Sequence, residues 1–176
     1  MGWRALSSTD LRRLAAVAGE VHAAYPERAE VFAERLALDP AGCFAFDVEG
    51  AMAGYALSHP WAGAPPKLDS LLGALPAQAE WQYLHDVALL PAARGRGAAT
   101  ALLPRIEAAA RARGLSRLAL VAIDGLAPVW ERLGFRKAPP PPGAALDSYD
   151  SGAVFMLRDV GELIPTDTGQ NLCPLV

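Results

Sequence analysis

Residues 83–100 read Tyr83-Leu84-His85-Asp86-Val87-Ala88-Leu89-Leu90-Pro91-Ala92-Ala93-Arg94-Gly95-Arg96-Gly97-Ala98-Ala99-Thr100, an extended apolar run that passes through a basic, glycine-paired turn straight into an alanine-rich helical stretch. A strand that feeds a helix across such a turn builds an anion cradle. Gly95 and Gly97 let the backbone turn tightly with no Cβ in the way, so successive amides and a helix N-terminus converge on one point. Arg94 and Arg96 add full positive charge, and the segment predicts a ligand that carries a diphosphate.

The remaining composition narrows what that ligand serves. A chain of 176 residues matches one domain, large enough for an ordinary core. The formal charge of -3 and pI near 5.6 argue against a general nucleic-acid binder, so the Arg94/Arg96 pair reads as a local site and not as part of a polyanion-binding face. Cys43 and Cys173 have no metal-like spacing; no metal is expected, and a reduced, cytoplasmic protein is the simplest reading. Charge or proline interrupts every apolar run well short of the roughly 18 residues a membrane helix needs, so no membrane partner is expected.

Along the chain, Trp3 to Leu6 predicts a strand, and Leu11, Leu14, Ala18, Val21 and Tyr25 recur at helical spacing. Pro26 suits the first turn of a second helix whose stripe is Ala29, Phe32 and Leu36, ending at Asp39-Pro40. Residues 43–48 and 51–58, joined by Glu49-Gly50, predict an antiparallel hairpin. Leu68, Leu71, Leu72 and Leu75 predict a short helix inside the long loop of 60–80. After the strand at 83–89 comes a helix from about Ala98 to Arg113, with Pro104 inside it predicting a kink. Arg117 to Ile123 reads as a buried parallel strand, Asp124 to Leu133 as a short helix stopped by Gly134, Phe135 as the start of another strand and Val154 to Leu157 as the last one. Residues 1–159 thus make one domain, and 160–176 give no periodic signal and read as a tail.

Three phosphate-binding patterns can be set against the turn. A P-loop requires Lys and Ser or Thr after its last glycine, and Ala98-Ala99 excludes it. The dinucleotide pattern G-x-G-x-x-G fails at Thr100 and lacks the acidic ribose partner some twenty residues on. The third, R-x-x-G-x-A, is met by Arg94, Gly97 and Ala99. Here the chain resembles the GNAT superfamily of acyl-coenzyme A dependent N-acetyltransferases. The order of elements over residues 1–157 follows that family, and Trp130-Glu131-Arg132-Leu133-Gly134-Phe135 is similar to its Y-E-K-L-G-F signature.

The resemblance implies an α/β (α+β) fold with a mixed, mostly antiparallel central sheet, a splayed parallel strand pair and helices on both faces. It further implies that acetyl-CoA enters the splay as acyl donor, its pantetheine arm along Val87, Ala88 and Leu89. The diphosphate would lie on the amides of Arg94, Gly95, Arg96, Gly97, Ala98, Ala99 and Thr100, with Asp124 and Trp130 beside the cofactor. The acceptor it implies is the primary amine of a small molecule, attacked directly in a ternary complex; a homodimer is a compatible assembly. A non-catalytic acyl-CoA-binding or partner-binding module on the same scaffold is the alternative.

Amine acetylation needs a proton acceptor, because an alkylammonium with a pKa near 10.4 cannot attack at neutral pH. His85 suits a general base, and regular strand alternation puts it on one face with Tyr83 and Val87 and turns Asp86, the reserve candidate, to the other. The alternative for His85 is a core histidine bonded to a carbonyl or to Asp86. Within the superfamily the stretch resembles the arylalkylamine N-acetyltransferases, with His85 matching one of their strand histidines and Tyr83 standing in for the other. Trp130 occupies the position of their acid tyrosine, where an indole N–H can donate a hydrogen bond but not a proton, and its expected role is a wall of the thiol pocket; Tyr149 is a second candidate acid. Acceptor selection is expected near His22 and Tyr25 and around His59 and Trp61, which are otherwise packing residues.

Overall fold

The computed structural model describes residues 1–144, 146, 149 and 151–161. In chain order the elements are β1 (Gly2–Ala5), α1 (Leu11–Val21), α2 (Ala29–Leu38), β2 (Cys43–Val48), β3 (Ala51–Trp61), β4 (Trp81–Leu89), α3 (Ala98–Arg111), β5 (Arg117–Ala122), α4 (Ala127–Arg132), β6 (Arg136–Lys137) and β7 (Val154–Asp159). The strands form one sheet in the order β1-β2-β3-β4-β5-β7-β6. Every pairing is antiparallel except β4 with β5. The mixed, mostly antiparallel sheet expected from the sequence is the one observed.

Helices cover both faces. On one, Leu102, Leu103 and Ile106 of α3 pack on Leu84, Leu118 and Leu120. On the other, Leu14 and Val17 of α1 and Phe32 of α2 pack on Tyr55 and Leu57. Each such side chain contributes about 1.5–3 kcal/mol on leaving water, which is why the apolar stripes read from the sequence locate these helices correctly. The hairpin turns at Glu49 and Gly50, both at positive φ (51° and 81°), the geometry that matches the twist of its strands.

Five local expectations are corrected. Helix α1 ends at Val21, so Tyr25 lies beyond it. Pro26 sits in the α1–α2 connection and not in a first turn, since α2 starts at Ala29 behind an extended Arg28. No helix forms between residues 62 and 80. There the amides of Leu72 and Gly73 donate to the Glu34 carboxylate at 2.8 and 2.9 Å, and that of Asp69 to Glu27 at 3.0 Å, so carboxylates take the place of helical carbonyls. Helix α3 runs unbroken through Pro104. The ring is exposed, on the side where water can reach the carbonyl that Pro104 leaves without a donor. The predicted strand at Phe135 is the two-residue β6, one position later. Of the tail at 160–176, residues 162–176 lie outside the described residues.

The close approach of β3 and β4 depends on Gly54, where a Cβ would lie 2.5 Å from Leu89 Cδ2 and 2.8 Å from the Ala88 carbonyl oxygen. Gly54→Ala is expected to cost about 1–3 kcal/mol, read as a lower urea midpoint. An unchanged midpoint would show that the strands do not approach so closely.

Candidate active site

Strands β4 and β5 run side by side only at Gln82–Leu118, Tyr83–Ala119 and Leu84–Leu120. Past Leu84, β4 keeps β3 on one edge and has no strand partner on the other among the described residues. This is the splay expected from the sequence, and its unpaired edge can accept an amide-bearing ligand as an added strand.

The register breaks at the same place. Leu57 pairs with Asp86 and Ser58 with Leu84, which leaves His85 as an extra residue on β4. That is a β-bulge, and it reverses the alternation of side chains beyond it. His85 meets Glu27 in the α1–α2 connection, and Asp86 meets Tyr55 and His22, so both side chains lie on the α1–α2 side of the sheet. Val87 packs instead into the cluster under α3. The expectation that His85 shares a face with Val87 and turns Asp86 away is thereby corrected, because alternation does not survive a bulge.

His85 is 1% exposed at its side chain, and its Nε2 lies 3.2 Å from Glu27 Oε2. A carboxylate only accepts, so Nε2 carries the proton and Nδ1 is the acceptor of the neutral ring. Nδ1 is buried with no hydrogen-bond partner among the described residues. Glu27 is itself fixed, its Oε1 accepting the Asp69 amide. The residues therefore stand as carboxylate, histidine and a buried nitrogen without a partner among the described residues, the order of an oriented base.

Asp86 accepts a short hydrogen bond from Tyr55 Oη, and its Oδ1 lies 2.9 Å from His22 Nε2. Burial pushes the Asp86 carboxyl up, but His22 and the Tyr55 hydroxyl outweigh it and hold the group below the usual carboxylate range. Burial likewise disfavours imidazolium at His22, and there Asp86, with Asp124 and Glu27 beyond it, raises the pKa above the ordinary value. Each histidine thus meets its own carboxylate, Glu27 for His85 and Asp86 for His22.

Of these side chains His22, His85 and Asp86 line a cleft with Val87, Leu120, Ile123 and Trp130. Trp130 is buried and packs edge-on against Phe135 at 5.4 Å, which makes it a wall. Beyond Leu89 a second hollow is lined by Arg94, Gly95, Gly97, Ala98, Ala99 and Thr100. Gly95 and Gly97 have φ of 67° and 71°, with open space where each Cβ would be, so the backbone is free to meet a ligand. This cradle, at the N-terminus of α3, fits a diphosphate, and the splay fits an amide-bearing arm.

The other sequence candidates divide. Arg94 lines the cradle while its Nε donates to the Leu89 carbonyl at 2.9 Å. Arg96 is outside that lining, with Nη1 3.9 Å from Met1 Sδ. Ala88 is fully buried in the α1–α2 cluster. Tyr25 lines the cleft and its hydroxyl donates to Asp124 at 3.0 Å, while Asp124 itself lines neither the cleft nor the cradle hollow. Tyr83 is buried, 3.2 Å from the hydroxyl of Tyr149, which lines the cleft and donates to the Pro66 carbonyl at 2.5 Å. Burial raises the pKa of both tyrosines. His59 and Trp61 do not line the cleft. They stack edge to face at 5.5 Å on β3, and burial lowers His59 to about 3, so it is neutral and a packing residue. Sequence reasoning missed Glu27 and Tyr55; nothing local marks either, because their partners are 58 and 31 positions away.

Among the described residues there is no cluster of metal ligands and no helix long and apolar enough to cross a membrane. A family model described as the acetyltransferase (GNAT) family matches residues 8–135. No curated protein sequence matches. Among solved structures, the GNAT-like decarboxylase GphF in complex with isobutyryl-CoA has a TM-score of 0.73 at 20% identity, covering 91% of this chain and 100% of its own. The ribosomal-protein-S18-alanine N-acetyltransferase from Escherichia coli has a TM-score of 0.62 at 20% identity, with coverage of 93% and 96%. The N-acetylglutamate synthase from Neisseria gonorrhoeae, complexed with coenzyme A and N-acetyl-glutamate, has a TM-score of 0.62 at 18% identity, covering 92% of this chain and 35% of its own.

The His22–Asp86 pair has a definite pH signature. The raised His22 pKa contributes stability that is complete below the unfolded value near 6.5 and is lost as pH rises through the folded value. Asp86→Asn is expected to lower the His22 midpoint in an imidazole NMR titration, part of the shift remaining through Asp124 and Glu27. An unmoved midpoint would break the assignment of the pair.

Proposed function

Because this chain belongs to the GNAT acetyltransferase family, and so is an acyltransferase that takes its acyl group from acetyl-CoA, we propose that it acetylates the primary amine of a small molecule by direct attack, with His85 as base. The observation that carries this reading is the buried, unpartnered Nδ1 of a histidine whose other nitrogen is fixed on Glu27, at the point where β4 leaves β5.

When bound, acetyl-CoA supplies a thioester-activated acetyl group. The amides of residues 95–100 and the N-terminus of α3 hold its diphosphate, with Arg94 beside them. The free edge of β4 from Asp86 to Leu89 receives the pantetheine arm, and an amide at Val87 stabilises the charge that develops on the carbonyl oxygen. Trp130 and Phe135 close the wall and keep water out. His85 Nδ1 takes the ammonium proton, and Glu27, as a positioning residue, keeps Nε2–H engaged so that Nδ1 stays an acceptor. Departure of the thiolate needs no dedicated acid, since a thiol pKa of roughly 8.5 makes it a tolerable leaving group. Trp130 in place of a tyrosine is compatible with that.

His85→Ala is expected to lower kcat/KM by about 10²–10⁴-fold and to remove the acidic limb of the pH profile, measured as free thiol released with a panel of amines. An unchanged pH profile would overturn His85 as base. Tight acetyl-CoA binding with no thiol released by any amine would favour the non-catalytic module.

A further inference from the structure

The two ends of the cleft carry opposite charge. The cradle end holds Arg94, with Arg96 next to it in sequence but outside the lining. At the other end, Glu27 comes from the α1–α2 connection, Asp86 from β4 and Asp124 from the β5–α4 connection, and all three act on His22. Tyr25 joins two of these elements by its bond to Asp124. Behind the cleft runs a lobe with small, apolar walls from Ala15, Ala18, Gly19 and Phe32, sharing His22, Tyr25 and Asp86 with the cleft.

No lysine or arginine lines the cleft or the lobe among the described residues. Positions 145, 147, 148, 150 and 162–176 contain none either. Arg35, the guanidinium behind this end, is fully buried and bonded to Glu34 and the Ser70 carbonyl. Near this end His22, where protonated, is taken up by Asp86 and Arg35 is bonded to Glu34, so a carboxylate brought here would meet an excess of negative charge, whereas an ammonium would be attracted by it. The buried Nδ1 of His85, which has no partner among the described residues, can accept an N–H.

We propose that the acceptor is a carboxylate-free organic ammonium with an alkyl body, and that this end of the cleft rejects the corresponding α-amino acids. The proposal rests on the amine-acetylation reading and adds the charge rule that reading does not contain. The carboxylates need not be consumed in the reaction. They act on binding and orientation, and discrimination appears in KM more than in kcat.

Two matched pairs test it: pentylamine against norleucine and cadaverine against lysine. With acetyl-CoA present, kcat/KM is expected to favour each amine by at least about 100-fold, and Asp124→Lys is expected to shrink that ratio about tenfold. Amino acids acetylated as well as the amines, or a peptide N-terminus preferred over both, would overturn it. Binding followed on the His22 imidazole resonance decides the matter without turnover. A shift with pentylamine at concentrations where norleucine gives none supports the subsite, and equal shifts or none with either would sink it. Should pentylamine bind at His22 and yet release no thiol, the subsite would stand and the acetylation reading would fall.

Discussion

One extra residue in β4 organises the site. Without the bulge at His85, strand alternation would send Asp86 toward α3 and leave a single polar side chain on the acceptor side. With it, two adjacent residues point to the α1–α2 side, each meeting a partner from the α1–α2 region, Glu27 for His85 and His22 for Asp86. The bulge also coincides with the end of β4–β5 pairing, so the strand turns its polar side chains to one face as its backbone edge becomes free. Both halves of the proposed chemistry, donor binding and proton removal, depend on this local geometry.

The surroundings hold that geometry at a cost. Histidine, aspartate and arginine are buried here, and each buried charge needs a partner to remain ionised. The 62–80 segment supplies several: Asp69 meets both Glu27 and Arg28, and Ser70 meets Arg35. Asp39, fully buried at the end of α2, is held by Arg113 and Gln82. Glu27 thus links the long loop to His85, the proposed base, and a change in the loop backbone at Asp69 would be felt at its ring.

Much of the fold was legible because it rests on local signals. Apolar periodicity located α1, α2 and α3, the Glu49-Gly50 turn located the hairpin, and the glycines at 95 and 97 located the cradle. The family resemblance carried by Arg94, Gly97, Ala99 and the segment 130–135 is matched by the family model. What stayed hidden was set by distant partners. The bulge is a property of how β4 meets Leu57 and Ser58 on β3, and no pattern within 83–89 encodes it. The four leucines of the 60–80 loop imitate a helix, yet carboxylates from Glu27 and Glu34 capture the amides that would have formed it. His59 and Trp61 read as loop aromatics because β3 runs on past the expected strand end.

A crystal structure with coenzyme A bound tests the central claim most directly. The expected result is pantetheine along the free edge of β4 between Asp86 and Leu89, with His85 unpaired in the β3–β4 ladder and both His85 and Asp86 on the acceptor side. Regular β3–β4 pairing through residue 85, with Asp86 turned toward α3, would contradict it.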